Sequence, residues 1–114
     1  MSGEVKKFIE DFGKSVEQMK AQAPDIVSGF GGLFGKVMKA GALDVKTKEL
    51  IALGVGLAVR CLPCIYLHVQ KCLQAGASRQ EILEAAGVVV MMQGGPSYTH
   101  VPEVIKALDE LEAK

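Results

Sequence analysis

Apolar residues recur along most of this chain at helical rather than alternating spacing. Val5, Phe8, Ile9, Phe12, Val16 and Met19 fall on one face, so Gly3–Lys20 is predicted as an amphipathic helix. Pro24 and Asp25 mark a fresh helix start, and a second helix is expected over Asp25–Lys39. It carries Gly29, Gly31, Gly32 and Gly35, which lower helix propensity and are read as places where another helix can approach closely. Past the loop Gly41-Ala42-Leu43, Asp44 is placed to cap a helix from Val45 to about Val59. The next helix covers roughly Leu62–Ala75 and stops at Gly76. Ser78 with Glu81 three residues later has capping-box spacing and opens a helix from Arg79 to about Met92. Gln93-Gly94-Gly95-Pro96 interrupts it, and Pro102, Val104, Ile105, Leu108 and Leu111 describe a last amphipathic helix. The expected architecture is all-α, about six helices in one domain over residues 1–114, with no strand required.

Composition narrows what such a bundle does. Lys plus Arg and Asp plus Glu stand at 13 each, with no basic cluster, which argues against a nucleic-acid partner. A hydrophobic fraction of 49% in 114 residues exceeds what a small monomer easily hides, so a homo-oligomer is expected. The apolar stretch Leu50–Val69 has the length of a membrane span. It contains Arg60, Pro63 and His68, however, and membrane insertion is not expected. Gly3–Lys20 is charged and amphipathic, unlike a secretory signal, and three cysteines without one fit a reducing, cytoplasmic location. The glycines before Lys36 do not make a phosphate loop. Phe30 stands where the first glycine belongs and Val37 where Ser or Thr belongs, while Phe34 breaks a dinucleotide fingerprint starting at Gly29.

The chemistry is concentrated in Arg60-Cys61-Leu62-Pro63-Cys64-Ile65-Tyr66-Leu67-His68. Two cysteines with two residues between them at a helix start lie within reach of a disulfide, and unpaired N–H groups there favour a thiolate. His68 follows Cys64 by four residues and shares its helix face, where an imidazole can take and return a thiol proton. Redox chemistry leads on spacing; metal binding and plain core packing stay open. Cys61, Cys64, His68 and Cys72 lean toward one face, but a helix from Cys61 to Cys72 rises about 16 Å at ~1.5 Å per residue. Ligands of one zinc must lie within about 4 Å of each other, so these four cannot close a site without ligands from elsewhere, such as His100. Cys72 is read as a buried structural thiol. On the residues alone Glu49 is more readily solvated decoration than a proton acceptor, with Lys46 and Lys48 solvated beside it. Tyr98 and His100 fit a loop or interface at least as well as a site.

The run Gly41-Ala42-Leu43-Asp44, Lys48-Glu49-Leu50-Ile51-Ala52-Leu53, Cys61-Leu62-Pro63-Cys64 and His68, continued by Ala75-Gly76-Ala77-Ser78, Glu81-Ile82 and Gly94-Gly95-Pro96, resembles the carboxymuconolactone decarboxylase family. Within it the chain is similar to the cysteine-bearing alkyl hydroperoxidase D-like branch, over about residues 36–112. The spacing that carries the resemblance is a Glu twelve residues before Cys61, then Cys-x-x-Cys, then His four residues after Cys64. The resemblance implies paired helices in a symmetric trimer or hexamer, with this chain as a single unit. It reverses the reading of Glu49: Glu49 and His68 become a proton relay for an attacking Cys64, and Cys61 the thiol that resolves it. The implied activity is that of a peroxiredoxin-type oxidoreductase acting on a small hydroperoxide or disulfide. It needs no cofactor and draws on a thiol electron donor. The alternative is a metal-binding or structural helical module using Cys61, Cys64 and His68. Two features depart from the branch. Pro63 stands where alkyl hydroperoxidase D has a second histidine, and Cys72 has no role in its chemistry. Lactone decarboxylation is not expected, since that branch does not use a cysteine pair.

Overall fold

A computed structural model describes residues 3–112, all of whose regular structure is helical. The elements are α1 (Glu4–Gln22), α2 (Pro24–Met38), α3 (Val45–Ala58), α4 (Leu62–Gln74), α5 (Arg79–Gln93), α6 (Gly95–Tyr98) and α7 (Val101–Leu111). The six long helices are those the periodicity predicts. The seventh, α6, is a single turn inside the Gly94–Pro96 break, where Pro96 fits the first turn of a helix as readily as it ends one.

Local signals fix several ends. The Asp44 carboxylate accepts from the Thr47 N–H at 2.7 Å. Ser78 and Glu81 exchange side-chain and backbone bonds at 3.0 and 2.8 Å, a complete capping box. Gly76 adopts φ +93° in the turn after α4, a conformation that a side chain there would strain. Another cap comes from far along the chain. Glu110 on α7 accepts from the Val5 and Lys6 N–H groups at 3.0 Å each, placing a carboxylate on the positive end of α1.

Helix α4 lies at the centre, packed against α1, α3, α5 and α7. Its buried positions Ile65, Tyr66, Val69 and Cys72 meet Leu53 and Leu57 of α3, Ile82 and Ala86 of α5, and Val104, Ala107 and Leu108 of α7. Each large aliphatic in that set contributes roughly 1.5–3 kcal/mol by leaving water. The long apolar stretch read from the sequence is therefore two packed helices, α3 and α4, folded back at Val59–Cys61. No helix among the described residues is long and apolar enough to cross a membrane.

Helix α2 buries no residue, and Ile26, Phe30, Leu33 and Val37 are all more than half exposed. Its glycines differ from their expected role: a Cβ added at Gly29, Gly31, Gly32 or Gly35 would meet nothing within 4 Å. The close approach of helices occurs instead at a glycine of α3. Nor are the two lysines near Glu49 simply solvated. Lys46 pairs with Glu81 at 3.0 Å, and Lys48 donates to the carbonyls of Val37 and Lys39 at 2.8 and 2.7 Å, closing the C-terminus of α2.

Candidate active site

The face of α3 turned to α4 carries Glu49, Leu53, Gly56 and Leu57, all buried and spaced as one helical stripe. Opposite them on α4 stand Cys64, His68 and Cys72, one turn apart. The two stripes are set by the turn between the helices. Arg60 adopts φ 56°, a left-handed conformation uncommon outside glycine. It lets the chain reverse while the Arg60 and Cys61 N–H groups still donate to Leu57 and Gly56 carbonyls at 3.1 and 2.9 Å. Cys61 then serves as the N-cap of α4: its sulfur accepts from the Cys64 N–H at 3.2 Å. Pro63, in the first turn, loses no hydrogen bond by lacking an N–H.

Cys61 and Cys64 form a disulfide, with their Cα atoms 5.2 Å apart. The separation lies within the range that a bridge spans without moving the backbone, so the pair can pass between dithiol and disulfide in place. Gly56 makes room for it. A Cβ built on Gly56 would sit 2.7 Å from the Cβ of Cys64, closer than carbon atoms pack.

One turn along α4, His68 Nδ1 lies 2.7 Å from Glu49 Oε1. Both side chains are nearly withdrawn from water, at 16% and 6% exposure, so the contact is not a solvent-screened surface pair. With Nδ1–H donating to the carboxylate, Nε2 is left as the basic nitrogen of the ring. The ring face is set from a third element. Phe34 of α2 stacks on it with centroids 6.2 Å apart and planes inclined by 20°. Lys71, three residues past His68, holds its ammonium 5.4 Å from the centre of the Phe34 ring.

Cys72 is fully buried beneath this arrangement. Burial, and then the Glu49 charge, push its thiol up to about 12, so it stays protonated and unreactive near neutral pH. Among the described residues no three His, Cys, Asp or Glu side chains gather closely enough to hold a metal ion. Tyr98 is largely exposed, and His100 Nδ1 is engaged by the Pro96 carbonyl at 2.9 Å, a loop contact.

The structure thus brings Glu49, Cys61, Cys64 and His68 to one place. Sequence reasoning missed Gly56, Arg60 and Phe34. Gly56 was open to detection as a glycine inside a strong helical pattern. Nothing in the chain links Phe34 to His68, which lies on a different helix. The arrangement suits thiol–disulfide exchange, with His68 one helical turn along α4 from Cys64 and paired with Glu49.

The chain is similar to known proteins in both sequence and fold. The model of the carboxymuconolactone decarboxylase family matches residues 24–107. A Paracoccus denitrificans protein named for its place in the cox locus is 37% identical over 87 residues, covering 76% of this chain and 78% of that protein. A carboxymuconolactone decarboxylase family protein of Legionella pneumophila superposes with TM-score 0.91 at 35% identity, covering 96% and 97% of the two chains. A Thermotoga maritima member superposes with TM-score 0.82 at 31% identity, covering 91% and 89%. The Thermotoga protein is described as a family member with a suggested part in an antioxidative response.

Proposed function

The chain belongs to the carboxymuconolactone decarboxylase family, and we propose that within it this protein is a thiol-dependent peroxidase and disulfide oxidoreductase. The observation that carries the reading is the Cys61–Cys64 bridge at the start of α4 with a buried Glu49–His68 pair one turn away. The antioxidative part suggested for the Thermotoga member supports the same direction.

In the dithiol form His68 takes the proton of Cys64, and the thiolate attacks the terminal oxygen of a hydroperoxide. The O–O bond breaks, Cys64 becomes a sulfenic acid, and the departing alkoxide takes the proton back from His68 and leaves as an alcohol. Cys61 then attacks the sulfenic sulfur, forming the disulfide and expelling water. A dithiol donor reduces the bridge by exchange and leaves as its own disulfide. Glu49 keeps Nε2 of His68 available in each proton step. The apolar face along α3 and α5, where Val55, Val88, Met91 and Met92 are more than half exposed, supports assembly of several copies.

Reduced protein is expected to consume one equivalent of alkyl hydroperoxide as the Cys61–Cys64 bridge forms, read by mass spectrometry after thiol labelling. Cys72 should remain a free thiol throughout. Cys64→Ser should lose the reaction, whereas Cys61→Ser should stop at a sulfenic acid that a dimedone probe traps. Consumption of small disulfides without peroxide would make the protein a disulfide carrier. Well-folded reduced protein that ignores both would sink the reading.

A further inference from the structure

The α1–α2 hairpin holds a half-open cleft of about 480 Å³ that the redox chemistry does not use. Phe12 and Val16 of α1 and Val27, Phe30 and Phe34 of α2 form its walls, and Lys71 of α4 stands at one end. The volume lies inside the range of small-molecule sites, about 300–1,000 Å³, which are largely apolar with a few fixed polar groups. From Met19 and Ile26 near the hairpin turn to Phe12 and Phe34 the cleft runs about 10–12 Å, at ~1.5 Å of rise per residue.

Its chemistry is lopsided. The walls are hydrocarbon and aromatic, and the single charged residue is the half-buried Lys71. No carboxylate pairs with Lys71 among the described residues; its ammonium lies over the Phe34 ring instead. A lysine at the end of an apolar cleft, without a carboxylate of its own, fits the head of an amphiphile whose tail fills the cleft.

We propose that the α1–α2 cleft binds a medium-chain alkyl carboxylate, its tail lying between α1 and α2 and its carboxylate on Lys71. The head would then lie beside Phe34, whose ring is stacked on His68, so occupancy places the ligand at the edge of the thiol site. Binding does not depend on the redox cycle. It is therefore measured on oxidised protein, and its failure leaves the peroxidase reading untouched.

The test is calorimetric titration of the oxidised full chain with dodecanoate, kept below its micelle concentration. Saturable binding is expected, and decanoate should bind about tenfold more weakly, from the loss of buried methylenes. Lys71→Met should weaken dodecanoate about tenfold or more by removing a charge-assisted contact. Dodecanol should bind native protein and Lys71→Met alike. Phe30→Asp, at a position 66% exposed and so tolerant of substitution, should abolish binding while circular dichroism and melting stay native. Absence of dodecanoate binding to native protein would overturn the proposal, including the case where a second copy fills the cleft. So would equal affinity of dodecanoate for native protein and Lys71→Met.

Discussion

Glu49→Gln is expected to slow oxidation of Cys64 by peroxide about a hundred- to ten-thousand-fold while leaving the fold in place. The carboxylate accepts a hydrogen bond from Nδ1–H of His68 at 2.7 Å and so fixes which ring nitrogen is basic. Glutamine has nearly the same shape, but its amide can turn an N–H toward Nδ1. The ring proton then moves to Nε2, and the base that faces the chemistry is lost. Because both side chains are nearly buried, bulk water cannot readily stand in for the carboxylate. Single-turnover kinetics on reduced protein, with the Cys61–Cys64 bridge as readout, measure the effect. An unchanged rate in a folded Glu49→Gln protein would show that His68 works without Glu49 and would remove Glu49 from the relay.

The second large effect is structural and falls on a residue without a functional group. Gly56→Ala would place a methyl carbon 2.7 Å from the Cβ of Cys64. The atom it meets lies next to the backbone of α4, and Cys64 is tethered to Cys61, so neither can swing aside. The helices must separate, at a cost of about 1–3 kcal/mol for overpacking and a melting temperature lower by several degrees. Gly32→Ala is the control. Nothing stands within 4 Å of the added methyl, so the better helix propensity of alanine should leave stability unchanged or raise it by about 0.5–1 kcal/mol. Thermal melts of the two variants decide it. A Gly56→Ala protein as stable as native would mean that α3 and α4 have slack between them.

Which parts of this molecule can be read from its sequence follows from how far each interaction reaches along the chain. The helices are legible because periodicity and caps are local. Asp44, the Ser78–Glu81 box and Gly76 perform the roles that their positions announce. Cys61, Cys64 and His68 are legible for the same reason, since all three lie within eight residues on one helix. Glu49 belongs to another helix, and its partner lies 19 positions away. A search for apolar periodicity selects Leu50, Leu53 and Leu57 and passes over the carboxylate, although the buried stripe runs through Glu49. Only the family resemblance restored it. The Phe34 contact and the Glu110 cap depend on packing between distant segments and leave no local mark. The α2 glycines show the opposite error: small residues permit a close neighbour, but none is present among the described residues.

The hydrogen bond from the Cys64 N–H to the Cys61 sulfur gives the bridge a polarity that its two chemically equal halves would otherwise lack. When an incoming thiolate opens the disulfide, one sulfur is attacked and the other departs as an anion. Departure is easier for the sulfur whose charge is already received by a donor at the head of a helix. That sulfur is Cys61, so the incoming thiol should join Cys64. Trapping the mixed disulfide in Cys61→Ser and failing to trap it in Cys64→Ser would display that asymmetry; the reverse would refute it. One backbone amide thus both starts a helix and sets the direction in which the bridge opens.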